Sequence, residues 1–341
     1  MTRFPAVKTL DDVRSLFRTL PGPDVDAETL ALEREPQLTK PAGALGRLEE
    51  LSAWLSAWQG RHPPRIDKPT ARVFAGAHGV TRHGISAYPA EVTAQMVANF
   101  ETGGAAINQL CRLFDVELAI HAVDLEHPTR DIVQAPAMDE HDFVAAFSLG
   151  MNAVDSNSDL LCLGEMGIGN TTAAAAVAHA LYRGAATDWT GPGTGIQEDA
   201  LAVKAGVVAE AVQLHNGFVA DPLDALRRLG GRELAAMAGA VVAARLARVP
   251  VLLDGFVCTT AAAALEAYAP GALDHCQVGH LSPEPGHRRV LERLGKRPLL
   301  DLDMRLGEAS GAVLAVAVAK AAAECHAGMA TFRQAGVADK A

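Results

Sequence analysis

Six short apolar runs, each followed by a polar or glycine-rich stretch, constrain the fold of this chain more than any other feature. They are ARVFAGAH (71–78), ELAIHAVDL (117–125), DLLCLGEM (159–166), VPVLLDGF (249–256), HCQVGHL (275–281) and RPLLDLDMR (297–305). Strands covered on one face alternate apolar and polar residues, whereas strands buried on both faces read as continuous apolar runs. Separated by helix-forming segments, the six runs predict an α/β fold built on a parallel, roughly six-stranded, doubly wound (Rossmann-like) sheet.

The runs end in chemically useful groups: Gly76-Ala77-His78-Gly79, Asp124, Gly164-Glu165-Met166-Gly167, Asp254-Gly255, His280, and Arg305 to Glu308. In open α/β sheets ligands bind beyond the carboxyl ends of the strands, so these tips mark the expected site. Glu308 stands where the last run stops and a helix-forming stretch of Ala and Val starts.

The two ends of the chain read differently. Leu45, Leu48, Leu51, Leu55 and Trp58 recur at helical spacing before Pro63-Pro64, and a helix rich in small residues is expected from about Ser310 to Met329. The expected organisation is therefore N-terminal helices over 1–65, an α/β domain over 66–309, and a C-terminal helix in 310–341 that joins the N-terminal ones in a small helical domain.

Lys and Arg number 30 against 40 Asp and Glu, a net charge of −10, and aromatic residues make up 5%. Without a basic patch or a stacking platform, nucleic acid is not an expected partner. Cys111, Cys162, Cys258, Cys276 and Cys325 form no Cys-x-x-Cys pair and read as reduced thiols. His275, His280 and His287 fit no metal-ligand spacing, so no metal is expected. The first twenty residues carry charges throughout and lack the apolar segment of a signal peptide, and alanine-rich stretches such as TTAAAAVAHALYRGAA are too short and weakly hydrophobic to span a bilayer. A cytoplasmic protein is expected.

In GEMGIGNTTAAAAV (164–177) glycines and Thr171-Thr172 lie between a strand and a helix, where free N–H groups and the helix dipole favour an anion. Asn170 stands where a nucleotide-triphosphate loop has lysine, and Thr172 where a dinucleotide fingerprint has its third glycine, so a single phosphate is the expected ligand. A tight turn with a capping threonine would also account for the stretch. VLLDGFVCTTAAA (251–263) reads as a buried strand followed by a capped helix, and DWTGPGTGIQED (188–199) as a long functional loop. Between 75 and 110 lie His78, the turn Tyr88-Pro89, and a helix carrying Val92, Met96 and Phe100, a spacing that also suits Met96 as an ordinary core residue.

The blocks KPAGALGRLEELSAW, AGAHGVTRHGISAYPAEVTAQMV, GGAAINQL, GEMGIGNTTAAAA, GPGTGI, PVLLDGFV, SPEPGH and LDLDMRLGEASGA, in order from about residue 38 to 330, resemble those of the nicotinate-nucleotide:dimethylbenzimidazole phosphoribosyltransferases, which build the lower-ligand nucleotide of cobalamin. The sequence departs from that family at Ala77, where Asp or Asn is common, at Asp303 and Ala309, where glycine is common, and at Ala44, where serine is.

The resemblance implies a homodimer that transfers phosphoribose from nicotinate mononucleotide to dimethylbenzimidazole without cofactor or metal. It implies Glu308 as the general base and Glu165, Gly167, Gly169, Asn170, Thr171, Gly193, Gly195 and Lys204 around the nucleotide. It implies Ser86, Tyr88, Met96 and Leu306 along the base slot. Lys204 taken by itself also suits a solvated surface position. The alternatives are a nucleotide-binding protein without catalysis, or a related transferase that takes a different azole or a phenolic base.

Overall fold

The structure, a computed structural model, describes residues 4–338; the first three and last three residues of the two expected helical segments lie outside it. The chain opens with helices α1 (Leu10–Leu16), α2 (Val25–Arg34) and α3 (Arg47–Gln59), then enters strand β1 (Pro69–Ala75). Helices α4 (Val92–Glu101) and α5 (Ala106–Phe114) precede β2 (Glu117–Ala122), and α6 (Glu140–Asn152) leads to β3 (Leu160–Met166). Four helices follow, α7 (Asn170–Tyr182), α8 (Glu198–His215), α9 (Pro222–Leu229) and α10 (Arg232–Ala247). Then come β4 (Val251–Leu253), α11 (Phe256–Tyr268), β5 (Cys276–Val278), α12 (Pro285–Leu294), the long α13 (Ser310–Gly328) and the short α14 (Phe332–Ala335).

The five strands are all parallel, in the order β2-β1-β3-β4-β5. Successive side chains point to opposite faces of the sheet. Phe74, Leu161, Leu163, Val251 and Leu253 join one apolar cluster with residues of α6, α7, α10 and α11. Ala71, Val73, Leu160, Cys162 and Leu252 join a second, with α3, α5 and α13. The strands thus have the two-sided burial their apolar runs implied; β2, at one edge, is partly exposed.

Among the described residues the sheet has five strands where six are expected. The run 297–305 touches it at one parallel bridge, His280 to Leu300, with the Leu299 N–H donating to Val278 O at 2.9 Å and the Leu300 N–H to Gly279 O at 3.0 Å. Pro298 has no N–H to donate, and beyond Leu300 the chain turns into solvent through Asp301 and through Asp303 with φ +54°.

Helix α13 is long and apolar enough by composition to cross a membrane, but it packs on β3 and β4 and against α3 and α5. Its C-terminal carbonyls are capped from the other end of the chain, where Arg34 donates to His326 O at 2.8 Å and to Met329 O at 3.0 Å. Helices α2 and α3 pack together and α3 lies on α13, whereas α1 sits on α6, its Leu10 N–H donating to Glu140 Oε1 at 2.8 Å. All five cysteines are free thiols.

Candidate active site

The site lies where the strand order reverses. From β1 the chain goes to β2 on one side, then returns to place β3 on the other, so the loops beyond β1 and β3 diverge and leave a crevice. The loop after β3 is packed onto its neighbour: a Cβ on Gly167 would come within 2.7 Å of Gly76 O. Gly169, with φ +95°, then turns the chain into α7, a left-handed conformation that glycine adopts without strain. Asn170 donates its side-chain amide to Glu165 Oε2 at the end of β3.

Lys204 reaches this turn from α8. It is 1% exposed, so the surface alternative is excluded, and its Nζ donates to Thr171 Oγ1 at 2.8 Å and to Gly191 O at 2.9 Å. Burial pulls its pKa down to about 8, against the opposing influence of Glu284. Gly193 and Gly195 both have positive φ, and the Gly193 N–H donates to Glu284 Oε1 at 2.8 Å. Between them Thr194 joins this loop to the segment after β1: its Oγ1 lies 3.0 Å from Ser86 Oγ and accepts from the Ala87 N–H at 3.0 Å.

Glu308 stands over the end of β3. Gly307, Glu308 and Ala309 all have positive φ, and the Glu308 N–H donates to Glu165 O at 3.1 Å. Two consecutive non-glycine residues in the left-handed region store backbone strain of the kind found at functional sites. The close fit beneath requires Gly164, where a Cβ would come within 2.0 Å of the Ala309 nitrogen. Glu308 is 4% exposed, and its Oε2 is buried without a hydrogen-bond partner among the described residues.

Burial, followed by the charge of Asp254, lifts the Glu308 carboxyl to about 7. Glu165 rises further, to about 8, through burial and then the charges of Asp254 and Glu233; the Asn170 hydrogen bond opposes this and Glu308 adds to it.

Two of these carboxylates carry no role in the sequence reading. Asp254 caps α13: its Oδ1 accepts from the Gly311 N–H at 2.9 Å and the Ala312 N–H at 3.0 Å, and lies 3.2 Å from His280 Nδ1. The place at the helix start that Glu308 would otherwise take is therefore filled. Glu233, fully buried on α10, lies 2.6 Å from His78 Nε2. The sequence signal for it was a lone carboxylate in an alanine-rich helix; Asp254 was legible as a strand tip but not as the cap of a helix more than fifty residues later.

The residues assigned to the base slot are less enclosed. Ser86 is tied to Thr194, but Tyr88 and Leu306 are 57% and 56% exposed, and half-buried Met96 packs against the second apolar cluster. The core alternative for Met96 thus describes part of what it does. The three histidines considered as ligands are engaged within the protein: His275 with Val241 O, His280 with Asp254, and His287 with Thr259 and the Ser282 N–H.

Fold and site define a class: a doubly wound α/β protein with a buried lysine and two glycine turns beside a buried carboxyl group of raised pKa. A family model described as phosphoribosyltransferase matches residues 20–337. The chain is 57% identical over 330 residues to the nicotinate-nucleotide–dimethylbenzimidazole phosphoribosyltransferase of Sinorhizobium medicae, with 97% of each chain covered, and 58% identical over 330 residues to that of Rhizobium etli. The crystal structure of CobT from Thermus thermophilus superposes with a TM-score of 0.86 at 42% identity, covering 92% of this chain and 100% of that one. The chain belongs to the nicotinate-nucleotide–dimethylbenzimidazole phosphoribosyltransferase family.

Proposed function

We propose that this chain transfers phosphoribose from nicotinate mononucleotide to 5,6-dimethylbenzimidazole, giving α-ribazole 5′-phosphate and nicotinate. The observation that carries the mechanism is Glu308, a buried carboxylate with one free oxygen and a pKa lifted to about 7. The departing pyridinium loses its positive charge as its glycosidic bond breaks, so the leaving group does not depart as an alkoxide. The entering azole develops positive charge as its bond to ribose forms, and its N–H becomes far more acidic. A carboxylate in hydrogen-bond reach accepts that proton and offsets the developing charge. Near neutral pH a base with a pKa of about 7 combines a substantial ionised fraction with real basicity.

On the nucleotide side, Lys204, Thr171 and the glycine turns at 167–169 and 193–195 hold phosphoribose in this reading, supported by the hydrogen bonds of Lys204 to Thr171 and Gly191. Glu165, Asn170, Ser86, Tyr88, Met96 and Leu306 complete the site. The exposure of Tyr88 and Leu306 supports a homodimer in which a second chain covers the base slot. A helical unit from both chain ends is supported by the packing of α2 on α3 and of α3 on α13, with Arg34 donating to His326 O, while α1 lies on α6 instead. The reduced cysteines accord with a cytoplasmic location.

The test is incubation of purified protein with nicotinate mononucleotide and dimethylbenzimidazole while free nicotinate is followed. Release that depends on the azole supports the transfer; nucleotide binding without release supports the non-catalytic alternative. Release with phenols or other azoles in preference to dimethylbenzimidazole replaces the acceptor.

A further inference from the structure

Glu284 belongs to the segment Ser282-Pro283-Glu284-Pro285-Gly286-His287, to which no role above is assigned. The segment is locked in place: the Ser282 N–H donates to His287 Nδ1 at 2.9 Å, and His287 Nε2 lies 3.2 Å from Thr259 Oγ1. It presents a carboxylate, 6% exposed, to the nucleotide loop. Oε1 accepts from the Gly193 N–H at 2.8 Å, while Oε2 is buried without a hydrogen-bond partner among the described residues. A Cβ on Gly191 would come within 2.1 Å of that free Oε2, and the Gly191 carbonyl accepts from Lys204 Nζ at 2.9 Å. A Cβ on Gly193 would stand 3.0 Å from the same Nζ. Residues 191–193 are therefore held between a buried carboxylate and a buried ammonium.

We propose that Glu284 is a positioning residue for the nucleotide: it fastens the Gly193 backbone and supplies the counter-charge that keeps Lys204 protonated until phosphate arrives. The proposal rests on the assignment of Lys204 to phosphoribose. Burial alone drives Lys204 towards its neutral form, and Glu284 is the charge that opposes this. Apart from Arg305, which meets the same loop at Gly193 O, the other charged groups around α8 are engaged elsewhere or exposed. Asp188 pairs with Arg289 at 2.8 Å, and Asp224 with Arg227 and Arg228 at 2.7 and 2.8 Å. His83 lies 2.8 Å from Asp131, with Arg82 4.0 Å from the same carboxylate. His179 contacts Gly184 O, Arg305 reaches Gly193 O at 3.5 Å, and Glu198, Asp199 and Glu210 on α8 itself are exposed.

The experiment is the pH profile of kcat/KM for nicotinate mononucleotide, with thermal melts, for the full-length wild type, Lys204→Ala, Glu284→Gln and Glu284→Asp. The wild type should lose kcat/KM as pH rises through about 8, a fall that Lys204→Ala lacks. Glu284→Gln keeps an acceptor for Gly193 but no charge, and should move the fall downward by roughly one pH unit. Glu284→Asp keeps the charge but not the reach; it should leave the fall in place and raise KM roughly tenfold. A fall unmoved in Glu284→Gln overturns the proposal while leaving Lys204 in its role. A fall that survives in Lys204→Ala overturns the Lys204 assignment and the proposal with it. Should Glu284→Gln not fold, Glu284→Asp decides: an unchanged fall with raised KM supports the role, and a downward shift overturns it.

Discussion

The Glu308 N–H donates to the carbonyl oxygen of Glu165 across 3.1 Å, so the loop that carries one carboxylate is registered on the strand that carries the other. Glu308 is thereby held beyond β3 in a left-handed backbone conformation, φ +63°, with one carboxylate oxygen unpaired. Replacing it with Gln preserves volume and one hydrogen-bonding oxygen but removes the ability to accept a proton. The expected outcome for Glu308→Gln is a fall in kcat of roughly a hundred- to ten-thousandfold, with nucleotide affinity close to wild type. Steady-state kinetics with dimethylbenzimidazole, beside titration of nicotinate mononucleotide, checks this; a stable variant with near-normal turnover refutes the assignment.

The raised carboxyls give stability a defined pH slope. In Glu308 and Glu165 the folded pKa, about 7 and about 8, exceeds the ordinary value of 4.5, because folding buries the groups and sets them beside other carboxylates. Each stabilising contribution is complete below the unfolded pKa and disappears as pH rises through the folded one. Melting temperature should therefore decline between about pH 4.5 and 8, and the Gln variants of either residue should flatten the decline. Melts across that range decide; a steeper decline in both variants contradicts the cause given.

Asp254 joins capping to electrostatics. Asp254→Asn retains an acceptor for the Gly311 and Ala312 N–H groups but removes a charge that helps lift Glu308, so the rise of kcat/KM with pH should move to lower pH. Asp254→Ala leaves both N–H groups buried without their acceptor, and unfolding free energy should drop by about 2–4 kcal/mol. Denaturant titration measures the second effect and the pH profile the first.

Thr194 ties the loop at 193–195, proposed to hold the nucleotide, to Ser86 and the Ala87 N–H, proposed to lie on the base side. Thr194→Val keeps the shape and loses both bonds. KM for dimethylbenzimidazole should rise by roughly five- to thirtyfold, about 1–2 kcal/mol, more than KM for nicotinate mononucleotide. Equal changes in the two constants would show that the hydroxyl supports the loop as a whole.

Tyr88 and Met96 are expected to set the ranking of acceptors, since an aromatic ring and a thioether suit a flat apolar heterocycle. Changing both to smaller polar residues should alter the preference among benzimidazole, other azoles and phenols. Competition assays read this directly, and an unchanged ranking would return Met96 to a purely packing role.

Much of this molecule was legible in sequence because the deciding forces were local. Apolar runs such as 159–166 had to be strands covered on both sides, and the glycines at 167 and 169 marked a turn into a helix; the roles of Glu308 and Lys204 entered only through the family resemblance. The tertiary structure decided what depends on neighbours distant along the chain. Asp254 reaches past its own helix to cap α13, Glu284 fastens Gly193 from ninety-one residues away, and Lys204 is sealed inside rather than solvated. The run 297–305 carries the apolar residues of a strand, yet Pro298 and the turn through Asp303 leave it a single bridge to the sheet. Whether Glu308 is a base matched to neutral pH was likewise a tertiary matter, since its pKa depends on burial and on the charge of Asp254, and both exist only once the chain has folded.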